Sequence, residues 1–299
     1  MVGSGQTRST RYRTTRQIPY REYAFPSEAS TSCGTPRRDV DDPTVWPNDP
    51  PERQELMTVA LVTGAGSGIG RAVAQVLTNR GAQVVCADLD EEGARATASE
   101  LKGARSALLD VANEEMIDDL VTQTVRDLGV IDAVVTCAGA NAKGTPTNMD
   151  VATFERVMTV NVTGSFLVAR SAARGMIERD AGGSIVLIGS INSVHALSGQ
   201  VAYATSKGAV LMLGKVLAVE LAQHEIRVNV VGPGLTRTPM SAGMLADEEK
   251  MRWAMERIPM KKVADPSDIA EVVCFLLSDA ARHVTGTFIP VDGGWLTGA

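Results

Sequence analysis

The sequence predicts an α/β protein built on a doubly wound parallel sheet of about seven strands, in a single domain. Three observations carry this. From Met57 onward, short apolar runs alternate with longer segments whose apolar residues recur every three or four positions. The runs are apolar throughout rather than at alternate positions, which marks strands buried on both faces under a cover of helices. Seven such runs use up the whole segment, so the two domains that 299 residues would allow are not needed.

The elements follow in order. The first run, Val59–Thr63, passes through a glycine-rich turn into helical spacing over Ile69–Arg80. Gln83–Ala87 and Ser106–Leu109 are the second and third runs, and Glu114–Leu128 is the next helix. Ala133–Cys137 and Ser184–Gly189 come next, then a helix over Ala202–Gln223. Arg227–Val231 and Thr287–Val291 complete the set, and no internal repeat is visible.

Residues 1–56 differ in kind. The first 21 residues carry five arginines and no acid, and 26–51 are rich in Pro, Ser, Thr and Asp without any period. A disordered N-terminal extension over 1–56 is expected, followed by a single folded domain over 57–299. Such an arginine-rich, acid-poor start also fits an organellar transit segment; otherwise a cytoplasmic location is expected. The 44% hydrophobic content permits a sizeable core, and the net charge of −6 excludes a dedicated basic nucleic-acid binder. No unbroken run approaches the roughly 18 apolar residues of a membrane span. Cys33, Cys86, Cys137 and Cys274 lie 53, 51 and 137 residues apart, which fits reduced thiols better than a zinc site or a disulfide framework. No His, Cys or acid grouping suggests a metal.

The chemistry begins after the first strand. There Gly64-Ala-Gly-Ser67-Gly68-Ile69-Gly70 opens a helix. A Rossmann-type dinucleotide site needs such glycines, because the backbone turns tightly and must approach a pyrophosphate with no side chain between them. The helix N-terminus then offers unpaired N–H groups to the phosphates. Asp88 ends the second strand, eighteen residues beyond Gly70. A carboxylate there accepts from both adenosine ribose hydroxyls and repels a 2′-phosphate, which favours NAD over NADP; a solvated acid at a strand end is the alternative. Arg71 follows the last glycine and is expected either near a phosphate or in solvent.

Tyr203 is the only tyrosine in 57–299, and Lys207 follows it at i+4, one turn along the same helix face. A phenol of pKa near 10 is a poor base at neutral pH. A neighbouring ammonium and a positively charged nicotinamide would both lower that value. Ser190, thirteen residues upstream, offers a hydroxyl to orient and polarise a carbonyl or alcohol oxygen. Asn161 lies in an earlier helical segment.

Together these pieces resemble the short-chain dehydrogenase/reductase family in its single-domain form, over essentially all of 57–299. The matching pieces are Thr63–Gly70, Asp110-Val111, Cys137-Ala-Gly139, Asn161, Ser190, Tyr203-Ala-Thr-Ser-Lys207, Pro233–Thr238 and Val291-Asp-Gly-Gly294. The resemblance implies a catalytic tetrad of Asn161, Ser190, Tyr203 and Lys207. Tyr203 would be the general acid/base, Lys207 would bind the nicotinamide ribose, and Asn161 would hold a relay water. It further implies cofactor contacts from Gly64, Ser67, Gly68, Ile69, Gly70, Asp88, Asp110, Val111, Ala138, Gly139, Pro233, Thr236 and Thr238, besides Tyr203 and Lys207. The family usually has asparagine where Cys137 stands, which bears on the rigidity of the central strands.

The resemblance places the substrate pocket between the loop Ile191–Val201 and the segment after Pro239. Met244, Leu245, Met251, Trp253, Met255, Ile258 and Met260 in that segment read either as a mobile lid over an apolar substrate or as core packing by a short helix. Gln200 and His195 lie where they could touch substrate oxygens; His224 and His283 are away from every motif. The expected activity is hydride transfer between NAD and a secondary alcohol or ketone. A 3-oxoacyl thioester reductase or 3-hydroxyacyl dehydrogenase is the alternative, and a non-catalytic dinucleotide sensor or scaffold is one of another class. The helix after Tyr203 is apolar around much of its circumference, which a single sheet cannot cover, and a homotetramer or homodimer is expected.

Overall fold

All five residues of β1 (Val59–Thr63) are buried. Successive side chains leave a strand on opposite faces, so Val59 and Leu61 enter one core while Ala60 and Val62 enter another. A strand of this kind needs helices on both sides. The structure, a computed structural model, describes residues 59–298; the extension expected over 1–56 lies outside the described residues.

The chain continues through α1 (Gly68–Asn79), β2 (Gln83–Asp88), α2 (Glu91–Ser99), β3 (Arg105–Leu108), α3 (Glu114–Leu128) and β4 (Ile131–Thr136). It then forms α4 (Val151–Met158), a π turn at Thr159–Thr163, α5 (Gly164–Glu178), β5 (Gly183–Ile188) and α6 (Val201–Leu221). After β6 (Ile226–Pro233) come α7 (Ala242–Leu245), α8 (Glu248–Arg257), α9 (Pro266–Leu277), β7 (Phe288–Val291) and α10 (Trp295–Gly298). The seven strands form one parallel sheet in the order β3-β2-β1-β4-β5-β6-β7. The order reverses between β1 and β4, and a crevice opens there at the carboxyl ends of the strands.

Helices α3, α5 and α6 supply Ile117, Val121, Leu167, Val168, Val210 and Leu211 to the first core. Helices α1 and α9 supply Val73, Leu77, Ile269, Val273 and Leu276 to the second. A third, smaller cluster joins Ile191, Ala254, Ile258 and Trp295 above the crevice.

Several expected boundaries move. Cys137 lies beyond β4, Ser190 lies two residues beyond β5, and β6 runs on through Pro233. Apolar content set the expected ends, whereas the ladder stops where partner strands diverge. Asn161 sits in a π turn between α4 and α5 rather than in a regular helix. Counting unbroken apolar residues also missed one feature. The stretch Val201–His224 is long and apolar enough, by length and composition alone, to cross a membrane. In the fold its inner side packs in the first core, and Lys207 interrupts it at the crevice.

Candidate active site

Four of the helices begin with a side-chain cap bond. Asp90, Asn113, Asp150 and Asp247 each accept a main-chain N–H at the start of α2, α3, α4 and α8. Helix α1 does not: Ser67 makes no capping bond and no acid lies in the first turn. Its free N–H groups and positive dipole end remain available to an anion.

The glycine turn before α1 has no room for side chains. A Cβ on Gly64, whose φ is +66°, would sit 2.6 Å from the Ala138 nitrogen. One on Gly70 would lie 2.1 Å from the Gly64 oxygen. The turn is held by Asp88, whose Oδ2 accepts from Gly66 N–H at 2.8 Å while Oδ1 accepts from Asp90 N–H at 2.9 Å. This bracing role was not visible in the sequence. Arg71 pairs with Glu100 at 2.6 Å and takes no part in the crevice wall.

The crevice is a cavity of about 1170 Å³. Every residue expected to touch a dinucleotide lines it: Gly64, Ser67, Gly68, Ile69, Gly70, Asp88, Asp110, Val111, Ala138, Gly139, Tyr203, Lys207, Pro233, Thr236 and Thr238. A cradle closed to side chains, an uncapped helix start and a carboxylate at the end of β2 together fit an adenine dinucleotide. Cys137 lines the cavity too. Its N–H donates to Thr63 O at 3.2 Å and Ala138 N–H donates to Thr63 Oγ1 at 3.4 Å, so β1 and β4 stay tied without an asparagine. Burial pushes the Cys137 thiol up to about 12, which keeps it protonated.

Ser190, Tyr203 and Lys207 line the same cavity, whereas Asn161 lies wholly buried behind it. Ser190 caps the short 3-10 turn Ile191–Ser193 and accepts from Asn192 N–H at 3.1 Å. The Lys207 ammonium donates to Ile188 O at 2.7 Å and lies 5.7 Å from the Tyr203 ring centroid. Burial lowers Lys207 to about 8, which still leaves it charged at neutral pH. Tyr203 departs from the expectation. Burial raises the phenol above its ordinary value, and the Ser190 hydroxyl offsets this only in part. Lys207, placed over the ring and bonded to a carbonyl, is not among the groups that lower it.

Asn161 is fully engaged. Its Oδ1 accepts from Ala140 N–H at 2.7 Å, and its Nδ2 donates to Ala140 O at 2.9 Å and to Ser206 Oγ at 2.8 Å. The side chain thus clamps the segment after β4, and its carbonyl accepts from Ser165 Oγ at 2.7 Å.

The segment after Pro239 divides between its two expected roles. Met244 and Trp253 line the cavity, while Ile258 is buried in the third cluster with Met255 packed against it. Leu245 and Met251 are half-buried off the cavity, and Met260 is exposed. Trp253 meets Trp295 edge to face at 5.5 Å, and the Arg257 guanidinium stacks 4.2 Å over Trp253. Gln200 lines the cavity but His195 does not. Asn141, Lys143, Arg156 and Trp295 also line it and carried no signal of their own, beyond the Gly293-Gly294 pair that precedes Trp295.

A family model described as "Enoyl-(Acyl carrier protein) reductase" matches residues 64–296. The 2,3-dihydro-2,3-dihydroxybenzoate dehydrogenase of Bacillus subtilis (strain 168) is 38% identical over 248 residues, covering 79% of this chain and 95% of that protein. A short-chain type dehydrogenase/reductase from Mycobacterium ulcerans superposes with TM-score 0.78 at 34% identity, covering 80% of this chain and 90% of that one. The chain is a short-chain dehydrogenase/reductase. As a member of this family it is an oxidoreductase of alcohols and ketones that uses NAD or NADP. The 3-oxoacyl-(acyl-carrier-protein) reductase of Thermotoga maritima is 35% identical over 240 residues, covering 79% of this chain and 96% of that protein. A gluconate 5-dehydrogenase from Burkholderia cenocepacia J2315, solved in complex with NADP and tartrate, has TM-score 0.77 at 31% identity over 81% of this chain and 96% of that one.

Proposed function

We propose that the protein moves a hydride between NAD and a secondary alcohol or its ketone, with Tyr203 as general acid/base. The observation that carries this is the meeting of Ser190, Tyr203 and Lys207 with the Gly64–Gly70 turn and Asp88 along one cavity. Held along the Gly64–Gly70 turn and Lys207, NAD would supply the hydride acceptor and a positive charge that would favour phenolate. Ser190 Oγ orients the substrate oxygen and Tyr203 Oη takes the hydroxyl proton as the ketone forms. In the reverse direction the burial-raised phenol is already in its acid form and returns that proton. Lys207 stays charged at neutral pH and holds a donor toward the ribose side, braced by Ile188 O.

Asp88 supports NAD, because a fixed carboxylate at the end of β2 accepts ribose hydroxyls and repels a phosphate. A 3-oxoacyl thioester reaction is the second reading, favoured by the Thermotoga relative and the apolar wall of Leu197, Met244 and Trp253. Copies of the chain are proposed to associate through α6, where Met212, Val216 and Val219 stay exposed in a row at helical spacing.

The test is reduced-cofactor formation with NAD and NADP against simple secondary alcohols and 3-hydroxyacyl thioesters. NAD-linked turnover of alcohols, abolished in Tyr203→Phe while NAD still binds, is the expected result. Turnover only on thioesters would promote the second reading, and full activity of Tyr203→Phe would overturn the mechanism.

A further inference from the structure

Among the described residues, seven buried side-chain nitrogen or oxygen atoms have no hydrogen-bond partner. Three belong to residues lining the cavity: Asn141 Oδ1, Gln200 Oε1 and Trp295 Nε1. The other four residues lie away from it. Unpaired buried polar atoms are costly and rare; these three have almost no exposed surface where they stand, so a ligand in the cavity meets Asn141 and Gln200 only once their amides turn toward it.

Asn141 and Gln200 stand on two loops that are stitched together. Gly144 N–H donates to Gly199 O at 3.0 Å, and Gly144 pairs with Gln200 in an isolated bridge. Gln200 also precedes Tyr203 by three residues at the start of α6, so the two side chains share one side of one turn. The Trp295 indole is fixed by its packing on Trp253. The two carboxamides can turn, because the torsion carrying an amide has a broad minimum. Turned to the cavity, an amide offers an acceptor and a donor together. A hydroxyl, which both gives and receives, is the matching group.

We infer that the substrate carries a second hydroxyl next to the one that reacts at Tyr203, held by the carboxamides of Gln200 and Asn141. The substrate class is then a small vicinal diol or polyol, and an acyl chain would leave both amides unpaired. This rests on the oxidoreductase reading above.

The test compares cis-1,2-cyclohexanediol with cyclohexanol, using NAD and the full-length protein. The diol is expected to have a kcat/KM about tenfold higher or more, and the preference is expected to collapse in Gln200→Leu and to weaken in Asn141→Leu. Gln200→Met replaces Gln200→Leu if the latter does not fold. Equal rates on the two alcohols, or a preference unchanged in the variants, would overturn the inference. A second readout needs no turnover: fluorescence of Trp253 and Trp295, which both line the cavity, follows binding to the NAD complex of Tyr203→Phe. Tighter binding of the diol there, lost with Gln200→Leu, supports the inference even if neither alcohol is oxidised, in which case only the oxidoreductase reading fails. Equal binding of both alcohols overturns the inference by itself.

Discussion

Asn161 and Ser206 are joined by a 2.8 Å hydrogen bond, and Ser206 in turn donates to the Tyr203 carbonyl at 2.7 Å. Since Asn161 also grips both polar groups of Ala140, one buried chain of contacts ties the cavity wall to the turn bearing the tyrosine. Ser206→Ala would leave one Asn161 N–H without a partner in a dry site. A loss of about 1–3 kcal/mol in unfolding free energy is expected, read by urea titration. The variant's kcat should fall more than its KM changes. A wild-type kcat would show that Tyr203 is positioned by other contacts.

Asp88 braces the Gly66 turn besides its proposed part in ribose binding, so Asp88→Ala would disturb both at once. Asp88→Asn keeps an oxygen acceptor for Gly66 N–H and removes the charge. The ratio of kcat/KM for NAD over NADP should drop about tenfold or more in Asp88→Asn, in line with the loss of one charged hydrogen-bond acceptor. An unchanged ratio would assign the carboxylate to bracing alone.

Alkaline pH should destabilise the protein. Burial raises the thiols of Cys86, Cys137 and Cys274 from 9.0 to about 11, 12 and 12. In the unfolded chain they ionise first, so their contribution is intact below pH 9 and is lost as pH rises toward 12. Lys207, lowered from 10.5 to about 8, acts in the opposite sense between those values. One lysine against three thiols gives a nearly level stability around pH 8.5 and a decline from about pH 9 upward. Urea titrations at pH 8.5 and 10.5 measure it. Lys207→Met should make the decline begin earlier and run steeper, and a stability that rises through pH 10.5 would contradict the assignment.

Val219 is 78% exposed on α6, with Val216 and Met212 one and two turns before it. Val219→Glu should shift the protein to a smaller species in light scattering coupled to gel filtration, with little change in the stability of the isolated fold. An unaltered mass would place the subunit contact elsewhere.

Much of the fold was legible because its signals are local. The unbroken apolar runs of β1 and β2 reflect burial on both faces. The Tyr203–Lys207 spacing is a property of one helix turn, and Gly64 and Gly70 announce a turn with no space for side chains. Strand ends were less legible, since Ser190 and Cys137 fall outside the ladder only because neighbouring strands stop pairing there. The lid segment was ambiguous for the same reason: Met244 and Ile258 are alike in the sequence, and only packing sends one to the cavity and the other to the core.

The succession of strands and helices, the glycine-rich turn and the Tyr203–Lys207 pair were written in the sequence, because each is encoded in a short periodic or fixed spacing. The tertiary structure decided what depends on distant segments meeting. It set Asp88 against Gly66 and Asn161 against Ser206, and brought Gln200 and Asn141 to one cavity. It also decided that burial outweighs the Ser190 hydrogen bond at Tyr203, since desolvation is a property of everything packed around a group and not of its neighbours in the chain.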